Sequence, residues 1–326
     1  MNPSSVDFEH VQRAAKTIAG VAHRTPMMTC AAIDEIAGRR LFFKCENFQK
    51  VGAFKFRGAF NAVSQLSDRD AANGVVTHSS GNHAQALALA ARMRGIPAYI
   101  VMPSTAPVVK KAAVEGYGAE VIVCEPTLAA RESTASEVQG RTGATFIHPY
   151  DNDDVIAGQG TAMLELFDQV AERGTSLDAV VTPVGGGGLL SGTCLAARGL
   201  DPSIRIIAGE PLGADDAARS FAAGKLIPQT QPKTIADGLL TSLGQRNWSI
   251  IRQHVQQIVT VSDDEIVSAM RLLWERAKLM VEPSSAVALA AVLIGEFPAD
   301  ESVRSIGIIL SGGNIDLTRL PWASAS

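Results

Sequence analysis

The sequence predicts an α/β fold in two domains, each an open, mostly parallel sheet with helices on both faces. Three observations carry that expectation. Short apolar runs alternate with alanine-rich helical stretches along almost the whole chain, the pattern left by repeated strand–helix–strand units. The runs are nearly continuous in apolar residues, as strands covered on both faces are. Several end in a polar or glycine-rich turn immediately before a helix, where open α/β sheets bind ligands.

In order, strands are expected at residues 41–45, 75–77, 98–102, 120–124, 179–184, 204–208, 258–261 and 306–310. Helices are expected at 82–94, 107–115, 155–172 and 264–278. The longest apolar run, 286–294, is too short to span a bilayer and reads as a buried helix. Two domains sharing one cleft, with the chain crossing between them twice, suit this order: residues 1–66 with 153–326 make the larger, and 67–152 the smaller.

Composition narrows the function. Hydrophobic residues at 46% against 19% charged describe a chain that buries a core and does not stay disordered. A net charge of −4, without any basic block, argues against nucleic acid as a partner. The cysteines, Cys30, Cys45, Cys124 and Cys194, are scattered. That spacing indicates neither a zinc site nor a disulfide framework, and free thiols suit a reducing cytoplasm. The first ten residues carry acidic groups and no apolar core, so no export leader is expected.

Three turns stand out: Ser79-Ser80-Gly81-Asn82-His83, Gly185-Gly186-Gly187-Gly188 and Ser311-Gly312-Gly313-Asn314. Parallel topology can bring all three to one crevice. Four glycines between a strand and a helix expose backbone N–H groups and let a phosphate approach closely. A dinucleotide fingerprint narrowly fails there, because Leu190 or Ser191 stands where the third glycine or alanine belongs. Glu210, at the end of the following strand, still leaves a nicotinamide cofactor open. No Gly-Lys-Ser/Thr follows the glycines, and no Gly-x-Ser-x-Gly elbow is present. Lys55 lies between Phe54 and Phe56 at an expected helix start. Desolvation and the helix N-terminus both disfavour a charged amine, which makes Lys55 a Schiff-base candidate. On the residues alone, a solvated surface lysine stays open beside that reading.

The segment 52–59, with the three turns, resembles the fold-type II pyridoxal-phosphate enzymes, whose fold is that of the tryptophan synthase β-subunit. Within them it is similar to the group of serine racemases, serine/threonine dehydratases and threo-3-hydroxyaspartate ammonia-lyases. The likeness runs from about His23 to Leu317. It implies that Lys55 holds the aldehyde of pyridoxal 5'-phosphate and that Gly185, Gly186, Gly187 and Gly188 cup its phosphate. Asn82 would bond the ring hydroxyl, Phe54 pack on a ring face, and Ser311 face the pyridine nitrogen. Ser79, Ser80, Asn82 and His83 would receive the substrate α-carboxylate.

The implied reaction is β-elimination from a small β-hydroxy amino acid such as 3-hydroxyaspartate, L-serine or L-threonine. Lys55 takes the α-proton, water leaves, and the released aminoacrylate hydrolyses to a 2-oxo acid and ammonia. The alternative is a serine or aspartate racemase in which Ser80 is the second acid/base; as a third reading, Ser80 only caps a helix and binds carboxylate. The resemblance also implies a divalent cation (Mg²⁺, Mn²⁺ or Ca²⁺) on Glu210, Asp216 and the carbonyl of Ala214, against the plainer reading of an acidic turn capping a helix. Arg131 matches an arginine that reaches a second substrate carboxylate, or is a solvated helix arginine. Two positions depart from the racemase pattern: Ala53 replaces a serine, and Tyr150 an asparagine. A homodimer acting on a small-molecule substrate, without membrane or nucleic acid, completes the expectation.

Overall fold

The computed structural model describes residues 6–294 and 302–322. Residues 1–5, part of the stretch read above as carrying no leader, lie outside the described residues. The strands are β1 Met27–Met28, β2 Arg40–Cys45, β3 Val75–His78, β4 Ala98–Pro103, β5 Glu120–Cys124, β6 Thr145–Phe146, β7 Ala179–Pro183, β8 Arg205–Pro211, β9 Gln257–Val261 and β10 Ser305–Leu310. The helices in the first half are α1 Phe8–Ile18, α2 Ala31–Ala37, α3 Lys55–Gln65, α4 Asp68–Ala72, α5 Asn82–Arg94, α6 Val108–Gly116 and α7 Leu128–Thr142. Those in the second are α8 Asp153–Ala171, α9 Gly188–Leu200, α10 Asp216–Ala223, α11 Gln245–His254, α12 Asp263–Leu272 and α13 Pro283–Leu293.

The strands form two sheets, in the orders β1-β2-β10-β7-β8-β9 and β5-β4-β3-β6. Every pairing is parallel except β1 with β2. The two-residue strands β1 and β6 were not expected, because two residues are too few to show a period. Alternate residues of the six-stranded sheet feed two apolar layers, as the pleat requires. Phe42, Val180, Ile206, Ala208 and Ile309 meet α1, α8, α9 and α11 on one side. Leu41, Phe43, Ala179, Val181, Ile207, Ile306 and Ile308 meet α2, α12 and α13 on the other. Each such side chain, fully buried, contributes roughly 1.5–3 kcal/mol of transfer free energy. The four-stranded sheet likewise packs α5 on one face and α7 on the other.

One helix departs from expectation. A single helix over 264–278 is interrupted: a π-turn, Leu273–Ala277, follows α12, and Lys278 closes it at φ 59°. The wider turn brings Leu273, Leu279 and Val281 into the same buried layer.

Helix α3 joins the two halves. Phe56, Ala59, Ala62 and Val63 on it pack with α5 and the four-stranded sheet, while its other side crosses α8 at glycines. A Cβ on Gly158 would lie 2.6 Å from Gly58 Cα and 2.7 Å from Arg57 O. The backbones touch because neither glycine carries a side chain. Beneath the crossing lies a buried ion cluster. Arg57 donates from Nε to Glu46 Oε2 (2.7 Å) and from Nη1 to Glu165 Oε1 (2.7 Å), and Lys44 Nζ donates to Glu165 Oε2 (2.7 Å). Burial pushes the Glu46 carboxyl up, but Arg57 and Lys44 outweigh it and hold the group below its ordinary range. Its stabilising share is therefore present above the ordinary carboxylate range and lost as pH falls through the depressed value. The cluster clamps the first turn of α3, and Lys55 opens that turn.

Candidate active site

In the six-stranded sheet β10 lies between β2 and β7. The turns that follow these three strands are therefore neighbours at the carboxyl edge, and they carry Lys55, Ser311 and the glycine loop. Two short 3₁₀ turns, Glu46–Phe48 and Lys50–Gly52, separate β2 from α3, so Lys55 follows its strand less directly than expected. Backbone bonds lace the Lys55 segment to the Ser311 turn: Phe54 N donates to Ser311 O (3.0 Å) and Gly313 N to Gly52 O (2.9 Å). Asn314 Nδ2 donates to Val51 O (2.7 Å) and to Asn82 Oδ1 (2.8 Å), which brings in the turn after β3. Three of the four segments singled out in the sequence thus meet through hydrogen bonds.

The fourth is reached from Lys55 itself. Lys55 Nζ donates to Pro149 O (2.9 Å). The next residue, Tyr150, lies on the glycine loop: a Cβ on Gly186 would sit 2.3 Å from its ring. A Cβ on Gly185 would meet Leu239 Cα at 2.9 Å, and one on Gly187, which has φ 95°, would meet Asn247 Cβ at 2.7 Å. No side chain fits in this loop. The amides of Gly185, Gly186 and Gly187 donate to no loop or turn acceptor among the described residues, and α9 begins without a side-chain cap. Helix α5 likewise starts at Gly81 with no side-chain cap. Two uncapped helix N-termini, each with unclaimed N–H groups, are anion sites in waiting.

Burial lowers the Lys55 amine to about 8, with attraction from Glu282 partly opposing the shift. Burial, aided by His78 and Lys55, takes His148 down to about 4, so its ring is neutral, and its Nδ1 accepts from Asp151 N (2.9 Å). Burial raises the Tyr150 phenol to about 12; it keeps its proton.

A model of the family described as pyridoxal-phosphate dependent enzyme matches residues 18–312. The chain belongs to that family. It is 51% identical over 315 residues to a β-hydroxyaspartate dehydratase from Paracoccus denitrificans (strain Pd 1222), covering 97% of this chain and 98% of the relative. To the serine racemase of Dictyostelium discoideum it is 49% identical over 319 residues, 97% of each chain, and the crystal structure of that racemase superposes with a TM-score of 0.91 over 96% of this chain and 99% of its own. A crystal structure of T.th. threonine deaminase gives a TM-score of 0.91 at 42% identity, covering 96% and 100% of the two chains. The nicotinamide reading of the glycine loop is thereby set aside.

The residues of this pyridoxal-phosphate enzyme fit the cofactor. The glycine loop offers free amides and no side chain to a phosphate, and a lysine amine with a lowered pKa stands at the same edge, as an aldehyde needs. Ser80 does not cap α5, whose N-cap is Gly81; the capping half of the plainer reading of Ser80 is corrected. Ser79 Oγ accepts from Gly81 N (3.3 Å) and shapes the turn. The His83 side chain is 2% exposed, its Nε2 lies 3.4 Å from Ile147 O, its Nδ1 is buried without a partner, and burial, aided by Lys55, holds the ring neutral.

Arg131 is on the first turn of α7, and its Nε is buried without a hydrogen-bond partner. Glu210 accepts from Ala217 N (2.9 Å) and Ala218 N (2.7 Å), so its side chain caps α10. Asp216 Oδ2 accepts from Leu243 N (2.7 Å), and its Oδ1 is buried without a partner. Burial raises these carboxyls to about 8 and about 6. Among the described residues no group of three or more His, Cys, Asp or Glu side chains is placed to hold a metal, and no helix is long and apolar enough to cross a membrane.

Sequence reasoning missed several contributors. Glu282 accepts from Asn82 Nδ2 (2.9 Å) and Asn314 N (3.1 Å). Asn247 Nδ2 donates to Gly186 O and Tyr150 O, both at 3.0 Å. Leu239 abuts Gly185, and Gly244 N donates to Gly186 O (3.0 Å). The strap 239–244 has no glycine run or charge pattern to announce it; only the departure at Tyr150 pointed there.

Proposed function

We propose that this enzyme converts a small β-hydroxy amino acid of the 3-hydroxyaspartate, L-serine and L-threonine class into a 2-oxo acid and ammonia, losing the β-hydroxyl as water and taking one water back when the released enamine hydrolyses. The observation that carries the reading is the Lys55 amine, held 2.9 Å from Pro149 O beside the glycine loop with its pKa lowered to about 8. Bound pyridoxal phosphate supplies the electron sink for the bond broken at the substrate α-carbon. The chain supplies the rest. The glycine amides grip the phosphate, Asn82 donates to the ring hydroxyl, and Phe54 packs on the ring. The neutral hydroxyl of Ser311 faces the ring nitrogen and leaves it largely unprotonated, which suits substrates whose β-group departs promptly. The open N-terminus of α5, with Ser79 and Ser80, binds the α-carboxylate. Lys55 Nζ then takes the α-proton, and the β-hydroxyl leaves as water.

Arg131 binds a second carboxylate. Its unpartnered buried Nε supports 3-hydroxyaspartate, as does 51% identity to the Paracoccus dehydratase. The second reading is racemisation between Lys55 and Ser80. A Ser80 hydroxyl released from capping favours it. We also infer a divalent cation (Mg²⁺, Mn²⁺ or Ca²⁺) at Glu210, Asp216 and the Ala214 carbonyl, supported by two buried carboxyls and the unpartnered Oδ1. A cytoplasmic homodimer completes the reading; the unpaired cysteines support the compartment, and the dimer rests on the resemblance. The test is a panel of L-serine, D-serine, L-threonine and the 3-hydroxyaspartate isomers, assayed for 2-oxo acid release and for change of optical rotation. Oxo acid from the β-hydroxy substrates is expected. Rotation change alone selects the racemase, and silence on every substrate overturns both.

A further inference from the structure

Glu282 precedes α13 as its N-cap, yet its side chain caps nothing there. It turns into the crevice, 4% exposed. Its Oε1 and Oε2 accept from Asn82 Nδ2 at 2.9 and 3.2 Å, and Oε2 accepts from Asn314 N at 3.1 Å. Its own N donates to Gly312 O (3.0 Å). Among the described residues it makes no ion pair within 4.0 Å. A buried carboxylate with hydrogen-bond donors but no cation in contact, Lys55 and Lys110 acting on it only from further away, is costly to keep, so its position beside Asn82 calls for a role.

Ionised carboxylate oxygens only accept hydrogen bonds, whereas an asparagine amide has one accepting and one donating end. Glu282 therefore compels Asn82 to present Nδ2 to it. Asn314 Nδ2, donating to Asn82 Oδ1 at 2.8 Å, enforces the same sense from the other end. One N–H of Asn82 goes to Glu282 and the other is left over.

We propose that Glu282 is a positioning residue that fixes the polarity of the Asn82 amide, so that Asn82 meets the ring oxygen of the cofactor with an N–H and never with its own oxygen. This rests on the assignment of Asn82 to that ring oxygen. With Glu282 replaced by glutamine, an N–H can point at Asn82 instead, only Asn314 still opposes the turned-over amide, and in that orientation its oxygen faces the ring oxygen. Burial, with repulsion from Asp237, raises the Glu282 carboxyl to about 7, while Lys110, Asn82 and Asn314 oppose the rise. The control is therefore strongest where Glu282 is ionised.

The experiment is a double-mutant cycle on Glu282→Gln and Asn82→Ala, read as the Kd for pyridoxal phosphate added back to apo-protein and as the absorbance spectrum of the reconstituted enzyme. Each single change is expected to raise Kd about tenfold, the worth of one hydrogen bond, and to weaken the visible band against the near-ultraviolet one. The double change should match Asn82→Ala alone, because Glu282 acts only through Asn82. Additive effects, or a shift with Asn82→Ala and none with Glu282→Gln, overturn the proposal. No shift with Asn82→Ala overturns the assignment of Asn82 first and the proposal with it. A urea midpoint for each variant checks folding. Should Glu282→Gln not fold, Asn314→Ala removes the hold from the other end, and an unchanged spectrum there contradicts the proposal.

Discussion

Arg131 makes the substrate question one of a single side chain. Its guanidinium stands on α7 with Nε buried and unpartnered, a state that leaves a strong donor unsatisfied until an acceptor arrives. Arg131→Ala is expected to lower kcat/KM for 3-hydroxyaspartate by about a hundredfold, the worth of a charge-assisted hydrogen bond at about 3 kcal/mol. Its effect on L-serine should stay within a few-fold. Equal losses on the two substrates contradict a second-carboxylate role. At this scale the sequence was legible where chemistry is local: Lys55 between phenylalanines and four glycines in a row announce themselves. Glu282 and Tyr150 act through contacts with residues far away in the chain, such as Asn82 and the glycine loop. Nothing around Glu282 distinguishes an acid before a proline from ordinary neighbours, and Tyr150 stood out only as a departure from the racemase pattern.

At the scale of elements, the site depends on how closely α3 can approach α8. A Cβ at Gly158 would collide with Gly58 Cα and Arg57 O, backbone atoms that cannot give way singly. Gly158→Ala is expected to cost about 2 kcal/mol of stability by urea denaturation, within the range for overpacking, and to weaken cofactor retention because α3 carries Lys55. A variant as stable as wild type contradicts the tight crossing. The acidic turn before α10 gives a second test. Glu210 already caps that helix, so removing a cation leaves the cap in place. Chelation with EDTA should lower the melting temperature or the activity, and excess Mg²⁺ should restore it; no change on either readout counts against a cation on Asp216. Strands and long helices were readable from apolar runs. The π-turn after α12 was not, because its cause is which buried layer Leu279 must reach, a property of the packed sheet.

For the whole molecule, the order β2-β10-β7 explains why turns more than 250 residues apart in sequence, such as those of Lys55 and Ser311, share one edge. The α3 helix, packed on both halves, and the ion pair between Lys110 and Asp237 (2.6 Å) bind the smaller sheet across the crevice. A depression of about 860 Å³ lined by Asp34, Arg39, Arg40 and Arg304 lies at the opposite ends of β2 and β10, away from the carboxyl edge where α/β sheets bind ligands. Strand–helix alternation foretold the parallel sheets; the strand order came only with the packed structure. Everything assigned to the crevice requires that the amine at position 55 bond the cofactor. Borohydride reduction of the holoenzyme, followed by peptide mapping, tests this directly. The account predicts a phosphopyridoxyl group on the peptide containing Lys55 and none in Lys55→Ala. A label on any other lysine, or a holoenzyme that takes none, contradicts it.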